Sequence, residues 1–441
     1  MFVRFVEKGR LPSELLPLAR RFANPFLLDS AAVSDDDGAT SFLGCDPIDV
    51  IDARDLGSGE WRSACDRLDA LRDPRATGWN GARPGPRAVG FLSYELGEHI
   101  EPKASGCPRP GGAPSDLCFG VYDAVYRWDH ATGTASIEAD SRKAAEALEE
   151  KLLHADPKGP RPFEPLHLPA PVSSLDEREF EAIVDRALEY IRAGDIYQVN
   201  LARRLEIACE PDPGALYARL RRSNPASFGA FLDLAGIAVL STSPERYLSW
   251  DRATGRIETR PIKGTRPRGR TPAEDRALAA ELERDAKERA EHVMIVDLER
   301  SDLGRIARIG TVAVSRYARV QSLARVHHLV SDVTAVVREG VGLADVLDAT
   351  FPGGSITGAP KVRAMQILAE LEPVRRGVYT GAIGYVDRAG GCDLAIPIRT
   401  VVVQGSSLSF HVGAGIVADS DPAREWRETA DKAQGILDAL Y

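Results

Sequence analysis

The chain has 441 residues, with 56 Lys plus Arg against 65 Asp plus Glu, for a net charge of −9 with histidines neutral. At 44% hydrophobic and 27% charged it has the composition of a globular protein with core enough for roughly two or three domains, and dominant disorder is excluded. A mildly acidic surface argues against nucleic-acid binding, and an anionic substrate then needs a local cation patch or a metal to offset the global field.

The six cysteines form no C-x-x-C pair and no cluster with histidine, so neither a zinc site nor a disulfide framework is indicated. The first residues, MFVRFVEKGRLP, lack the apolar run of a signal peptide, and no stretch reaches the ~18 apolar residues that span a bilayer. A reducing cytoplasm and no membrane contact are expected.

In chain order, residues 1–155 form an N-terminal region with a patchy Pro/Gly stretch between Gly81 and Pro114. A denser one, residues 156–173, reads as a linker to a second region, 174–441. Ser174 and Glu177 match an S-x-x-E capping box ahead of Phe180, Ile183, Val184, Ala187 and Ile191 at helical spacing, ending near Gly194. SFGAFLDL and IAVLSTS flank Ala235-Gly236 as a hairpin. Thr271-Pro272-Ala273-Glu274 opens a further helix and Asp421-Pro422 the last one. VYTGAIGYVD, CDLAIPIRTVVV and SLSFHVGAGIVA read as strands joined by short turns. Antiparallel strands with helices in blocks predict an α+β fold: large antiparallel sheets forming a sandwich core, with helices packed outside.

Several constellations could carry chemistry. Lys263, in RPIKGT, sits at a strand end before a glycine that lets other groups approach closely. It reads either as a solvated cation or as a nucleophilic or anion-binding amine. Glu288 and Glu291 share one helix face, as do Glu425 and Glu428, with His292 and Lys432 close by on the same two helices. Each pair alone is a solvated helix face, whereas two converging pairs suit Mg²⁺, which takes oxygen ligands and keeps several waters. The glycine turns FPGGSITGAPK and Gly413-Ala414-Gly415 could offer backbone N–H groups to a carboxylate. Arg399 stands in the otherwise apolar IPIRTVVV, where a bidentate carboxylate partner would explain its burial.

The ordered series STSPERYL, RPIKGT, ERAEHVMIVDLERSDLGR, HHLVS, FPGGSITGAPK, GYVD, IPIRT, GAGIVADSDP and ETADKA closely resembles the chorismate-utilising enzymes from Ser174 to the C-terminus. SFLGCDP and VGFLSYELG extend a looser likeness through the N-terminal part. Gln198, in GDIYQVNL, stands where water-inserting members typically carry lysine, which implies an amine-inserting member. Lys263, where anthranilate synthases generally have alanine, makes the chain similar to the aminodeoxychorismate synthase component I branch. Anthranilate synthase component I is the alternative enzyme, and a non-catalytic regulatory subunit the alternative of another class. The departures are chiefly Ser301, where relatives often have asparagine, and Glu299, where they often have an apolar residue.

The resemblance implies roles. Mg²⁺ at Glu288, Glu291, Glu425 and Glu428 would bind the ring carboxylate of chorismate. Arg399, Tyr385 and the backbone of Gly413, Ala414 and Gly415 would hold the other carboxylate, with Gln198, Gly264, Thr265, Thr357 and Lys432 also lining the substrate. The amine of Lys263 would add to ring carbon 2 as the hydroxyl at carbon 4 leaves, protonated by Glu245 with His328 nearby; ammonia would then displace the lysine. Ser30, Ser227 and Phe228 correspond to segments that line a tryptophan pocket in relatives, and here either keep that ligand or serve the fold. Because no glutaminase-like Cys-His-Glu set is evident, ammonia is expected from a glutamine amidotransferase subunit in a heterodimer.

Overall fold

The computed structural model describes residues 1–32, 38–53, 60–76, 83–105, 110–111, 115–153, 168–323 and 326–441. The part of the expected linker from 156 to 167 lies outside them, and its end is ordered: Val172–Ser173 pairs with the strand Gln198–Ala208.

Two antiparallel sheets dominate, one of 12 strands and one of 10. Their inner faces share one core, in which Phe26, Phe42, Leu232 and Val239 of the larger sheet meet Val89, Phe91 and Ile383 of the smaller. Apolar residues at alternate positions create such a face, and stacking a second sheet removes it from water. The expected sandwich with outer helices is therefore what forms. Segments on either side of the linker are neighbours in both sheets: Phe26–Asp29 pairs with Phe228–Leu234, and Pro86–Leu92 with Ala382–Asp387.

The predicted hairpin forms, with Ala235 and Gly236 both at positive φ, 55° and 82°, as the twist of a two-residue connection demands. Thr271 and Asp421 cap their helices through the amides of Glu274 and Arg424. The Ser174 start is corrected. The capping box is Asp176 with Glu179, the helix runs Glu177–Arg192, and the Ser174 hydroxyl instead accepts from the Arg204 amide.

A second correction concerns CDLAIPIRTVVV, which is two strands in different sheets. Cys392–Ala395 belongs to the smaller sheet and Thr400–Gln404 to the larger. Pro397 has no N–H for a ladder, and Arg399 turns the chain at φ 50°, so Arg399 stands at the crossing between sheets.

Candidate active site

Lys263 lies on the strand Ile262–Pro267, at the edge of the smaller sheet, where the register against Val326–Val336 shifts around Gly264. Gly264 is at φ 69°, and a Cβ there would come within 2.8 Å of Leu282 and 3.1 Å of a Glu288 oxygen. Glycine thus brings the helix Ala286–Gly304 against the lysine's strand. The preceding Arg260 is buried and fixed by Asp332 at 2.7 Å and Glu258 at 2.8 Å, which anchors the segment.

The Lys263 Nζ donates to the Ser355 carbonyl at 3.0 Å. Burial pulls its pKa below the usual lysine value, Lys432 acts in the same direction, and Glu245, Glu291 and Glu288 oppose. An amine so placed is closer to its nucleophilic form than a solvated lysine. Glu245 is 5% exposed, accepts from the Ile262 amide at 3.4 Å and lies beside Ser355. Burial raises its pKa and Lys263 counteracts, so the carboxyl is biased toward the protonated form that a general acid requires.

His328 is buried, and its Nδ1 faces the Gly264 carbonyl at 3.2 Å and the Thr265 hydroxyl at 3.1 Å. A carbonyl only accepts, so this nitrogen carries the proton, and Nε2 presents a lone pair that meets no hydrogen-bond partner among the described residues. Burial, with Arg399 and His327 adding, drops its pKa to about 4. At neutral pH His328 is an acceptor for a hydroxyl and not a proton donor, which narrows its expected role. Thr265 stands with it at the rim, whereas Thr357 is buried and donates to the Gly353 carbonyl at 2.8 Å.

Gly413, Ala414 and Gly415 are in the strand Ser407–Ile416, paired with Gln198–Ala208 rather than in a free loop. Across from the two glycines, the Asn200 amide bonds the Thr357 carbonyl and the Ala202 amide bonds Glu372, both away from the glycine strand. In an antiparallel ladder, the facing residues Gly415 and Gly413 then turn their N–H groups to the opposite edge. Strand Thr400–Gln404 covers that edge only as far as Phe410. Two N–H groups, two residues apart, are left facing the same way, and the Gly413 carbonyl on that edge takes the Lys432 Nζ at 2.8 Å. Gln198 sits alongside, its Nε2 2.8 Å from where a Gly415 Cβ would be, and its buried Oε1 meets no partner among the described residues.

Arg399 opens to solvent and is near enough to His328 to influence it. Among the described residues no carboxylate pairs with its exposed guanidinium. The expected bidentate partner is thus not a side chain among the described residues, and an anionic ligand suits the position.

The structure does not bring Tyr385 here. It lines a separate cavity of about 210 Å³ with Ser30, Ser227 and Phe228, packed edge-on to Phe42 at 5.5 Å. The tyrosine beside the glycine edge is Tyr379, buried, its hydroxyl 3.0 Å from where a Gly413 Cβ would be and its ring stacked on His411 at 5.1 Å. Both tyrosines belong to VYTGAIGYVD, and what separates them is that Tyr379 lies in the turn before the strand Ala382–Asp387 that carries Tyr385. Ser30, Ser227 and Phe228 do come together, bordering open space beside Arg83, Arg127 and Arg246.

Glu288 and Glu291 face the lysine from the helix Ala286–Gly304, and Glu425 and Glu428 lie on Pro422–Leu440. Burial raises the pKa of Glu291, Lys263 counteracts and Glu288 adds; burial also raises Glu425, the Ser420 hydroxyl counteracts and Glu428 adds. Lys432 pairs with Glu428 at 2.7 Å, and Lys287 bonds Asp419 at 3.5 Å between the two helix starts. Among the described residues no group of three or more acidic, histidine or cysteine side chains is close enough to hold a metal as it stands. The donor chemistry nevertheless fits a hard cation: all-oxygen pairs whose negative charge is incompletely compensated.

One group was visible in sequence only as a departure. Glu299 is buried, accepts from the Thr259 hydroxyl at 2.7 Å, and is pushed up to about 8 by burial, with Glu245 and Asp302 adding. Its carboxyl is therefore biased toward the protonated, hydrogen-bonded form.

A family model described as chorismate binding enzyme matches residues 26–438. The chain belongs to the chorismate-binding enzyme family. It is similar to anthranilate synthase component 1 of Streptomyces coelicolor, 40% identical over 442 residues, covering 94% of this chain and 83% of that protein. It is also similar to aminodeoxychorismate synthase of Streptomyces griseus, 44% identical over 365 residues, 80% of this chain but 50% of that protein. Among solved structures, anthranilate synthase component I from Streptococcus pneumoniae superposes with a TM-score of 0.79 at 30% identity, covering 92% of this chain and 93% of that one. No helix among the described residues is long and apolar enough to cross a membrane.

Two outcomes follow for this family member. Tyr379→Phe should weaken chorismate binding about tenfold or more, the loss of a hydrogen bond near a charged group, while Tyr385→Phe leaves it within about twofold; calorimetric titration of both variants checks this, and the opposite ranking would return Tyr385 to the site. For Glu299, the folded protein binds a proton that the unfolded chain releases above the ordinary glutamate value of 4.5, so its stability falls as pH rises from there toward about 8. Glu299→Gln should remove that slope, and melting curves of both proteins across this range would overlay in slope if Glu299 were ionised throughout.

Proposed function

We propose that the chain is aminodeoxychorismate synthase component I, converting chorismate and ammonia to 4-amino-4-deoxychorismate, a precursor of 4-aminobenzoate and folate. The observation that carries it is Lys263. A desolvated amine beside a buried acid is what a covalent addition–displacement needs, and the resemblance assigns lysine at this position to that branch. The Lys263 nitrogen bonds ring carbon 2, both ring double bonds shift, and the carbon 4–oxygen bond breaks as Glu245 delivers the proton that lets water depart. Ammonia then forms the carbon 4–nitrogen bond as the double bonds shift back and the bond to lysine breaks, and the new ammonium returns a proton to Glu245. The sum is chorismate plus ammonia giving the amine and water.

His328 would accept a hydrogen bond from the ring hydroxyl through Nε2. Arg399, Tyr379 and the Gly413 and Gly415 amides would hold one carboxylate. Glu288, Glu291, Glu425 and Glu428 would hold Mg²⁺, which when bound counters the charge of the ring carboxylate. Ammonia is proposed to come from a glutamine amidotransferase subunit, a reading supported by the name "component 1" that several relatives bear. The second reading, anthranilate synthase component I, is favoured by the number of relatives so named.

Mass spectrometry of the product from chorismate, Mg²⁺ and an ammonium salt separates the two, since anthranilate is aromatic and fluorescent. Lys263→Ala should slow the reaction by ~10²–10⁴ and abolish any covalent adduct, the range typical of losing a chemical participant. Wild-type rates in that variant at saturating ammonium would remove the nucleophile from the mechanism. Glu291→Gln and Glu428→Gln keep shape but lose a charged ligand, so each should need more Mg²⁺ for half-maximal rate. Unchanged metal dependence in both would take these residues out of the metal site.

A further inference from the structure

The N–H groups of Gly413 and Gly415 face outward because the strand opposite them is bonded on its far side, and among the described residues no strand does that bonding along its middle. Strand Gly358–Ala359 pairs only with Gln198 and Val199. Beyond it, Asn200 and Ala202 would present bare backbone groups inside the protein, an expensive state. Two side chains fill the gap. Glu372 accepts from the Ala202 amide at 2.9 Å, and the Arg376 guanidinium donates to the Asn200 carbonyl at 2.5 Å.

The pair is itself tightly fixed. Arg376 is 2% exposed and meets Glu372 through Nε at 2.9 Å and Nη2 at 2.6 Å. Its Nη1 reaches the Ile356 carbonyl and the Thr380 hydroxyl, both at 3.2 Å, so one cation holds residues adjoining Thr357 and Tyr379. The guanidinium also lies over the rings of Tyr94, at 4.6 Å, and Tyr379, at 5.9 Å. Glu95 takes the amides of Arg376 and Gly377, which locks the backbone that carries it.

We propose that Arg376, held by Glu372, is a positioning residue for substrate carboxylate: it replaces a missing strand and so sets the register, ring and amides that bind the anion. The proposal rests on reading the Gly413–Gly415 edge as a carboxylate site. A buried ion pair of this kind contributes little net stability compared with an apolar pair of similar volume, so its retention here is explained by geometry that an apolar pair cannot supply. Planar guanidinium reaches carbonyls in several directions at once, and lysine, a point donor, cannot.

The test uses the full chain with chorismate and with an analogue lacking the enolpyruvyl carboxylate, and reads binding without turnover. Arg376→Lys keeps the charge that Glu372 needs, and Glu372→Met/Arg376→Met removes the pair together, which avoids an orphaned buried charge should a single change prevent folding. In both, the preference for chorismate over the analogue should fall about tenfold, whereas loosening of the fold would weaken both ligands alike. Hydrogen exchange at the Gly413 and Gly415 amides supplies the second readout: chorismate should slow it in the wild type and much less in the variants. Absence of that protection in the wild type would overturn the reading of the edge itself. Equal protection and an unchanged preference in wild type and variants would overturn the role of Arg376 alone.

Discussion

A charge taken out of water must be paired or neutralised, and the centre of this molecule is arranged around how it meets that constraint. Glu245, Glu291 and Glu288 favour the charged form of Lys263, and Lys432 opposes it. Burial lowers the lysine and raises Glu245 and Glu291, so the proton affinities of amine and acids move toward one another. Groups brought together in this way exchange protons at smaller cost than they would in water, which is the condition for acid–base work near neutral pH. Glu299 meets the same constraint by keeping its proton, and so adds a polar group beneath the site without adding charge.

The sheets supply the second requirement, that groups distant in sequence arrive with fixed directions. Lys263 is delivered by an edge strand and a glycine bulge, Glu245 by the end of Ile237–Ser243 running into Arg246–Trp250, and Arg399 by the break where the chain passes between sheets. Each is a place where regular pairing stops. A continuous ladder would consume the backbone groups and bury the side chains, so the site occupies the interruptions. The Ile396 amide bonding the Glu245 carbonyl at 3.0 Å ties two of these interruptions together.

The same crossing adjoins the cavity of Ser30, Ser227 and Phe228. Arg246 and Ala395 line that cavity, while their chain neighbours Glu245 and Ile396 are joined by the backbone bond between the two strands. Arg246 is held there by Asp393 at 3.1 Å and stacks over Phe228 at 5.0 Å. The N-terminal region is therefore no appendage. Its strands complete both sheets and form one wall of a cavity whose opposite wall is adjacent to the proposed acid.

How much of this was legible in the sequence depended on whether the cause was local. The hairpin at Ala235-Gly236, the caps at Thr271 and Asp421, and the α+β class follow from neighbouring residues and were readable. The likeness of motifs brought Lys263, Glu245, His328 and Arg399 forward, and the structure gathers these into one region. What was not legible depended on pairing between distant strands. Tyr379 and Tyr385 lie six positions apart in one apolar run, and alternation alone puts six apart on the same face of an unbroken strand. The strand begins only at Ala382, so Tyr379 belongs to the preceding turn and faces the glycine edge, while Tyr385 faces the other cavity. Nothing in the sequence singles out Glu372 and Arg376, which lie just past the helix end at Leu371 and are buried. Their work becomes visible only once Asn200 and Ala202, 170 or more residues earlier, are seen to have no strand among the described residues on the edge away from the glycines.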